Sequence, residues 1–300
     1  MVEVVKNPSP ASARQSARHI LYIEGSDEEA LDALVLRELL GPLIQIRPMG
    51  PAYHIRSAAE ALSRHETDTY FLQDRDHQDT ATVEASWRNF PDPAHSNLLI
   101  WRKRELENYF LDPDYLRLSS YCRKKAGEPE ESILHHANDR LYLDAVNQVI
   151  VAIREEQKRN WIELFNQPAD FRSKEGAWQQ LRNAAAFGER TAQVTDSVAA
   201  DQLRSRLEAT IAAFSGGTIP LQFGHGSWQD RLRGRKIFPS VLTTCCKVQD
   251  SAQRPLQGKE QRNAVVKDLL RKPLEVQPAD FQELHRLIRQ RLEMPYSPRP

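Results

Sequence analysis

Four short apolar runs, each passing directly into polar or acidic residues and separated by stretches of other periodicity, constrain the fold of this chain more than any other feature. They lie at residues 19–23, 43–46, 68–72 and 97–101. Runs of this length, rich in β-branched and aromatic residues, read as buried strands. Between the first two, Leu31, Leu34, Val35 and Leu39 recur at helical spacing until Gly41-Pro42 stops the helix. Ser26 reads as its N-cap, with Asp27, Glu28 and Glu29 favoured in the first turn by the helix dipole. A second helix is expected over 55–62. Strands joined through helices imply right-handed crossovers, hence an α/β class with a mostly parallel four-stranded sheet flanked by helices.

After about Asp114 the strand signals fade. Residues 130–165, 177–187, 199–214, 263–271 and 279–292 read as amphipathic helices, which predicts a largely α-helical C-terminal domain. The expected organisation is a disordered lead-in over 1–17, an α/β catalytic domain over 18–115, a helical domain over 116–294 and a tail over 295–300. No apolar run approaches the roughly 18–20 residues of a membrane span. Cys122, Cys245 and Cys246 are odd in number and two are adjacent, which argues against a disulfide framework and for a reducing cytoplasm. Lys plus Arg equals Asp plus Glu at 41 each, so any attraction to a polyanion must come from local basic patches. The chain contains no Gly-x4-Gly-Lys-Ser/Thr string, which speaks against an ATPase of that type.

Glu24, Asp74 and Asp76 each follow an expected strand. In a parallel sheet those ends share one edge, where open α/β folds place their ligands. Alternation in an extended segment points Asp74 and Asp76 the same way. Glu28 can face the same mouth from the first helical turn, and Glu105 and Glu107 follow the fourth strand. So many carboxylates repel one another unless a divalent cation neutralises them, and oxygen-only ligands select Mg²⁺ or Mn²⁺. Such ions activate water and stabilise both oxygens of an in-line phosphoryl displacement. A blander account exists for each element. Asp-x-Asp is common by chance, Asp112-Pro113-Asp114 being a second case that reads as a turn, and Asp27 to Glu29 can simply complement a helix dipole. Arg102, Lys103 and Arg104 lie at the expected cleft as candidate phosphate contacts. Arg231, Arg233, Arg235 and Lys236, just after Trp228, either contact phosphates beside a stacked base or form a solvated helix end.

The string Tyr22-Ile23-Glu24-Gly25-Ser26-Asp27-Glu28 resembles the strand-Glu-Gly opening of Toprim domains, and Asp74-Arg75-Asp76 resembles their Asp-x-Asp motif. Arg104-Glu105-Leu106-Glu107-Asn108-Tyr109-Phe110-Leu111 resembles the third acidic segment of the overcoming-lysogenization-defect (OLD-like) Toprim nucleases. A stand-alone Toprim chain with a helical remainder resembles, within that group, the nuclease subunit of the PARIS anti-phage system. The resemblance implies that Glu24 is a general acid/base or metal ligand, and that Glu28, Asp74, Asp76, Glu105 and Glu107 are ligands for Mg²⁺ or Mn²⁺. It further implies a lysine beyond the Toprim core, for which Lys236 is the nearest candidate and Arg235 an equal rival. It implies a cytoplasmic endonuclease that cleaves host tRNA when released by a separate ABC/AAA-type ATPase, with a possible homodimer when active. A DNA-nicking nuclease of the OLD type, and a non-catalytic Toprim scaffold that regulates an ATPase, are the alternatives.

Overall fold

The computed structural model describes residues 19–25, 30–41, 43–62, 68–91, 97–122, 127–159, 173–182 and 185–293. Four strands, β1 (Ile20–Ile23), β2 (Gln45–Pro48), β3 (Thr69–Gln73) and β4 (Leu98–Ile100), form one sheet in the order β2-β1-β3-β4. Every pairing is parallel: Ile20 lies opposite both Gln45 and Thr69, and Phe71 opposite Leu98. The α/β class and the helical C-terminal region read from the sequence are those observed. β3 is buried along its whole length, as a strand must be when helices cover both faces of a parallel sheet.

Helix α1 (Leu31–Leu40) buries Leu31, Val35, Leu36 and Leu40. Its described part begins after Ala30, which makes no side-chain cap, and the expected Ser26 cap lies outside the described residues. The second strand starts two residues later than expected, because the Leu43 and Ile44 N–H groups still donate to the Leu40 carbonyl. Helix α2 (Ala52–Leu62) packs Ile55 and Ala59 against Phe71. Helix α3 (Thr80–Asn89) went unread in the sequence. Its N-cap Asp79 accepts from the Thr82 N–H and hydroxyl, and its Trp87 indole donates to the Ile100 carbonyl. The chain leaves β1 toward β2 on one side and returns to β3 on the other. The carboxyl ends of β1 and β3 therefore flank the switch point, where such sheets open a crevice.

Beyond β4 come a 3-10 turn (Leu106–Phe110), α4 (Pro113–Arg117) and α5 (Glu128–Arg159). Then follow α6 (Lys174–Arg182), α7 (Ala185–Ser197), α8 (Ala200–Ser215), α9 (Trp228–Arg231), α10 (Gly234–Cys245), α11 (Gly258–Leu270) and α12 (Ala279–Glu293). The chain divides into two compact units, and the division is not the one expected near residue 115. Residues up to Ala137 and from Gln229 onward form one unit, and Asn138–Trp228 the other. An aromatic cluster explains why the last helices join the sheet. Trp101 and Tyr109 meet at 5.2 Å between ring centroids, Tyr109 and Phe281 at 5.0 Å, and Phe110 and Phe238 at 5.4 Å. Gly234 allows the close approach of α10, since a Cβ there would lie 2.4 Å from Asn108 Oδ1.

In the second unit the long helix has two apolar aspects. Leu141, Ala145, Val149 and Ile153 are buried, whereas Tyr142, Leu143, Val146 and Ile150 are exposed. Glu156 takes both guanidinium nitrogens of Arg206, at 2.7 and 3.0 Å. Among the described residues, no helix is long and apolar enough to cross a membrane.

Removal of Phe281, fully buried against Trp101, Tyr109 and Phe110, tests whether the C-terminal helices complete the sheet's core. Phe281→Ala is expected to cost about 3–5 kcal/mol of unfolding free energy by urea denaturation. A loss below about 1 kcal/mol would show that α12 is an appendage.

Candidate metal centre

Glu24 stands one residue past β1. Its Oε2 is buried with no hydrogen-bond partner among the described residues. Burial and, next, the charge of Asp76 raise its pKa. Asp74, the first residue past β3, is buried and lies 3.1 Å from Nη2 of Arg235. Its pKa is well above the usual carboxylate range, first through burial and then through Asp32.

Asp76 does not follow the expected alternation. Its φ of 46° is left-handed, it is exposed, and its N–H donates to the Arg104 carbonyl. The cause is Arg75, which turns inward and donates to the Arg102 and Gln78 carbonyls and the Thr80 hydroxyl. That buried guanidinium ends the extended segment one residue after Asp74. Asp76 still contributes charge beside Glu24, but from the rim.

Glu105 and Glu107 come from the segment that opens the 3-10 turn, and both are buried. Their surroundings differ. Glu105 accepts from Arg233 Nε at 3.2 Å and the Arg235 N–H at 2.8 Å, faces Arg235 Nε at 3.2 Å, and closes a capping box with Asn108. A carboxylate has about four lone-pair sites, so Glu105, expected as a metal ligand, is occupied as the anchor of α10. Glu107 faces Arg262 only at 4.0 Å, outside hydrogen-bond distance. Burial and then Asp32 push its pKa up to about 7. Glu28 lies outside the described residues.

Asp32 escaped the sequence reading. It sits in the first turn of α1, on the face that carries buried Val35 and Leu36. Burial raises its pKa, and the charges of Arg235 and Arg262 oppose that rise. The available signal was a carboxylate on an apolar helix face, which the dipole explanation of first-turn acids had covered. Arg235 occupies the position for which Lys236 was considered, while Lys236 is exposed on α10. Burial alone would lower the pKa of Arg235, but Glu105, Glu107, Asp74 and Asp32 together hold it above its usual value.

The expected phosphate contacts are largely engaged within the protein. Arg102 pairs with Glu84, Asp280 and Glu283 at 2.7–2.9 Å and stacks on Trp87 at 4.1 Å. Lys103 pairs with Asp230 at 3.5 Å, and buried Arg104 donates to the Arg231 carbonyl. Arg233 is committed to Glu105. Excess carboxylate near Asp280 claims Arg102, so it braces α12 rather than a ligand.

These residues fit a hard divalent cation in donor chemistry, and the orphaned Glu24 oxygen is an acceptor that such an ion would satisfy. Among the described residues no three of the carboxylates have oxygens all within 4.8 Å of one another. Asp32, Asp74 and Glu107 thus require side-chain adjustment to share an ion. No family model matches the chain, and no curated protein or solved structure is significantly similar to it.

Glu24, Asp32, Asp74 and Glu107 are all raised, which fixes a sign. A carboxyl with a raised folded pKa binds its proton more tightly folded than unfolded. Its contribution to stability is full below the unfolded pKa and is lost as pH rises through the folded one. For Glu107 the window runs from its ordinary 4.5 to about 7. In EDTA the melting temperature is therefore expected to fall as pH rises from 5 to 7.5, and Glu107→Gln should flatten that slope. A melting temperature that rises across the window would refute this account of the cluster.

Proposed function

We propose that the chain is a Mg²⁺- or Mn²⁺-dependent endonuclease that hydrolyses phosphodiester bonds at the crevice between β1 and β3. The observation that carries this reading is the convergence of Glu24, Asp32, Asp74 and Glu107 at the carboxyl ends of the central strands, with one Glu24 oxygen unsatisfied. Buried like charges are costly unless an ion or a catalytic task accounts for them. A bound ion would supply Lewis-acid stabilisation and an acidified water. Asp74, Asp32 and Glu107 would hold it, with Asp76 at the rim. Glu24, whose buried Oε2 has no hydrogen-bond partner among the described residues, would take or return the proton of the attacking water.

Host tRNA as substrate rests on the resemblance of the three acidic segments to OLD-like and PARIS nucleases. So do a restraining ATPase partner and a homodimer in the active state. The exposed row Tyr142, Leu143, Val146 and Ile150 supports a protein-docking role for the second unit. The scaffold alternative draws on Arg235, which already neutralises part of the cluster.

Purified protein incubated with bulk tRNA and with supercoiled plasmid, in Mg²⁺ and in EDTA, tests the reading. Cleavage of tRNA that EDTA abolishes is expected, and nicking of plasmid alone would move the assignment to DNA. Glu24→Ala should lower the rate by about 100-fold or more with an unchanged far-UV circular dichroism spectrum. A folded and fully active Glu24→Ala protein would remove that residue from the mechanism.

A further inference from the structure

We propose that Arg235 is a built-in counter-cation, a guanidinium that holds Asp74 where a divalent cation takes hold and yields that carboxylate when the cation binds. The inference rests on the metal-centre reading and adds to it a reversible exchange of occupants. Arg235 reaches the cluster from the solvent side. Its side chain is 45% exposed, against 8% for Asp74 and 3% for Glu105. It can therefore withdraw without unpacking the core.

Its two carboxylate contacts are unequal. Glu105 is gripped by Arg233, by the Arg235 backbone N–H and by the capping box, so it stays in place whatever the guanidinium does. Asp74 meets Arg235 through Nη2 at 3.1 Å. That single contact is the one to break first. The start of α10 then acts as a tether, keeping the guanidinium within reach of the crevice after release.

Two cations cannot both neutralise one buried carboxylate without strong mutual repulsion in a site of low dielectric. Cation binding and the Arg235–Asp74 contact therefore oppose each other, and linkage makes each weaken the other. The arrangement also explains how buried acids persist before a metal arrives. Without Arg235, Asp74 would be a buried charge left unpaired.

Titration calorimetry with Mn²⁺, on the full chain and on Arg235→Ala, measures the exchange, with melting in EDTA and in Mn²⁺ alongside. Arg235→Ala is expected to melt earlier than wild type in EDTA. It should regain that loss in Mn²⁺ and bind Mn²⁺ at least about fivefold more tightly. Arg235→Gln keeps a donor for Asp74 without the charge. It is measured beside the alanine variant with the same sign expected, and it stands in should Arg235→Ala fail to fold in both media. Wild-type Mn²⁺ binding with equal or weaker binding in the folded variants would overturn the counter-cation role and leave the metal centre standing. Folded proteins that all fail to bind Mn²⁺ would overturn both. A wild type that binds weakly beside variants that bind well would show the guanidinium acting as a lock.

Discussion

Carboxylates crowded at the ends of β1 and β3 set a requirement that the rest of the sheet unit answers. Strand order alone brings Glu24 and Asp74 together, because β1 and β3 are neighbours in register with Ile23 opposite Leu72. Once Asp32 and Glu107 join them, the site holds more negative charge than a buried crevice tolerates. The compensating guanidinium groups come from more than a hundred residues away, Arg235 on α10 and Arg262 on α11. The aromatic cluster of Trp101, Tyr109, Phe110, Phe238 and Phe281 supplies the apolar burial that holds those helices in place. Charge and packing therefore demand the same arrangement. Neither the cluster nor the charge compensation is complete without residues after Gln229.

Much of the sheet was legible in the sequence, because period-2 and short apolar runs encode local burial directly. Glu24 and Asp74 were legible for the same reason, since a strand's last residue and its successor are fixed by the pattern. Most of what was missed depended on contacts distant along the chain, with one helix as an exception. Helix α3 announced itself through the Asp79–Thr82 cap, a local signal that went unread. The unit boundary could not be seen, because nothing local ties Phe281 to Trp101. Asp76 was misplaced because the inward turn of Arg75 depends on the carbonyl of Arg102, on a different strand's exit. Glu105 was read as a ligand because its charge is visible in the sequence and the donors around it are not. The same holds for Arg102, whose partners Asp280 and Glu283 lie near the other end of the chain. Residues whose role is set by an element's own period were readable, and those whose role is set by partners were not.

The split of the sheet unit around residues 138–228 has a consequence for synthesis. A ribosome makes the four strands and their acidic residues early, and α10 to α12 only after the whole second unit. At about 5–20 residues per second, some ten seconds or more separate the emergence of Trp101 from that of Phe281. Over that interval the nascent sheet displays its acids without Arg235, Arg262 or the aromatic lid. It is an incomplete core with uncompensated charge. Any product stopped before Gln229 is left in the same state, so the charge compensation of the crevice waits on residues made after the whole second unit.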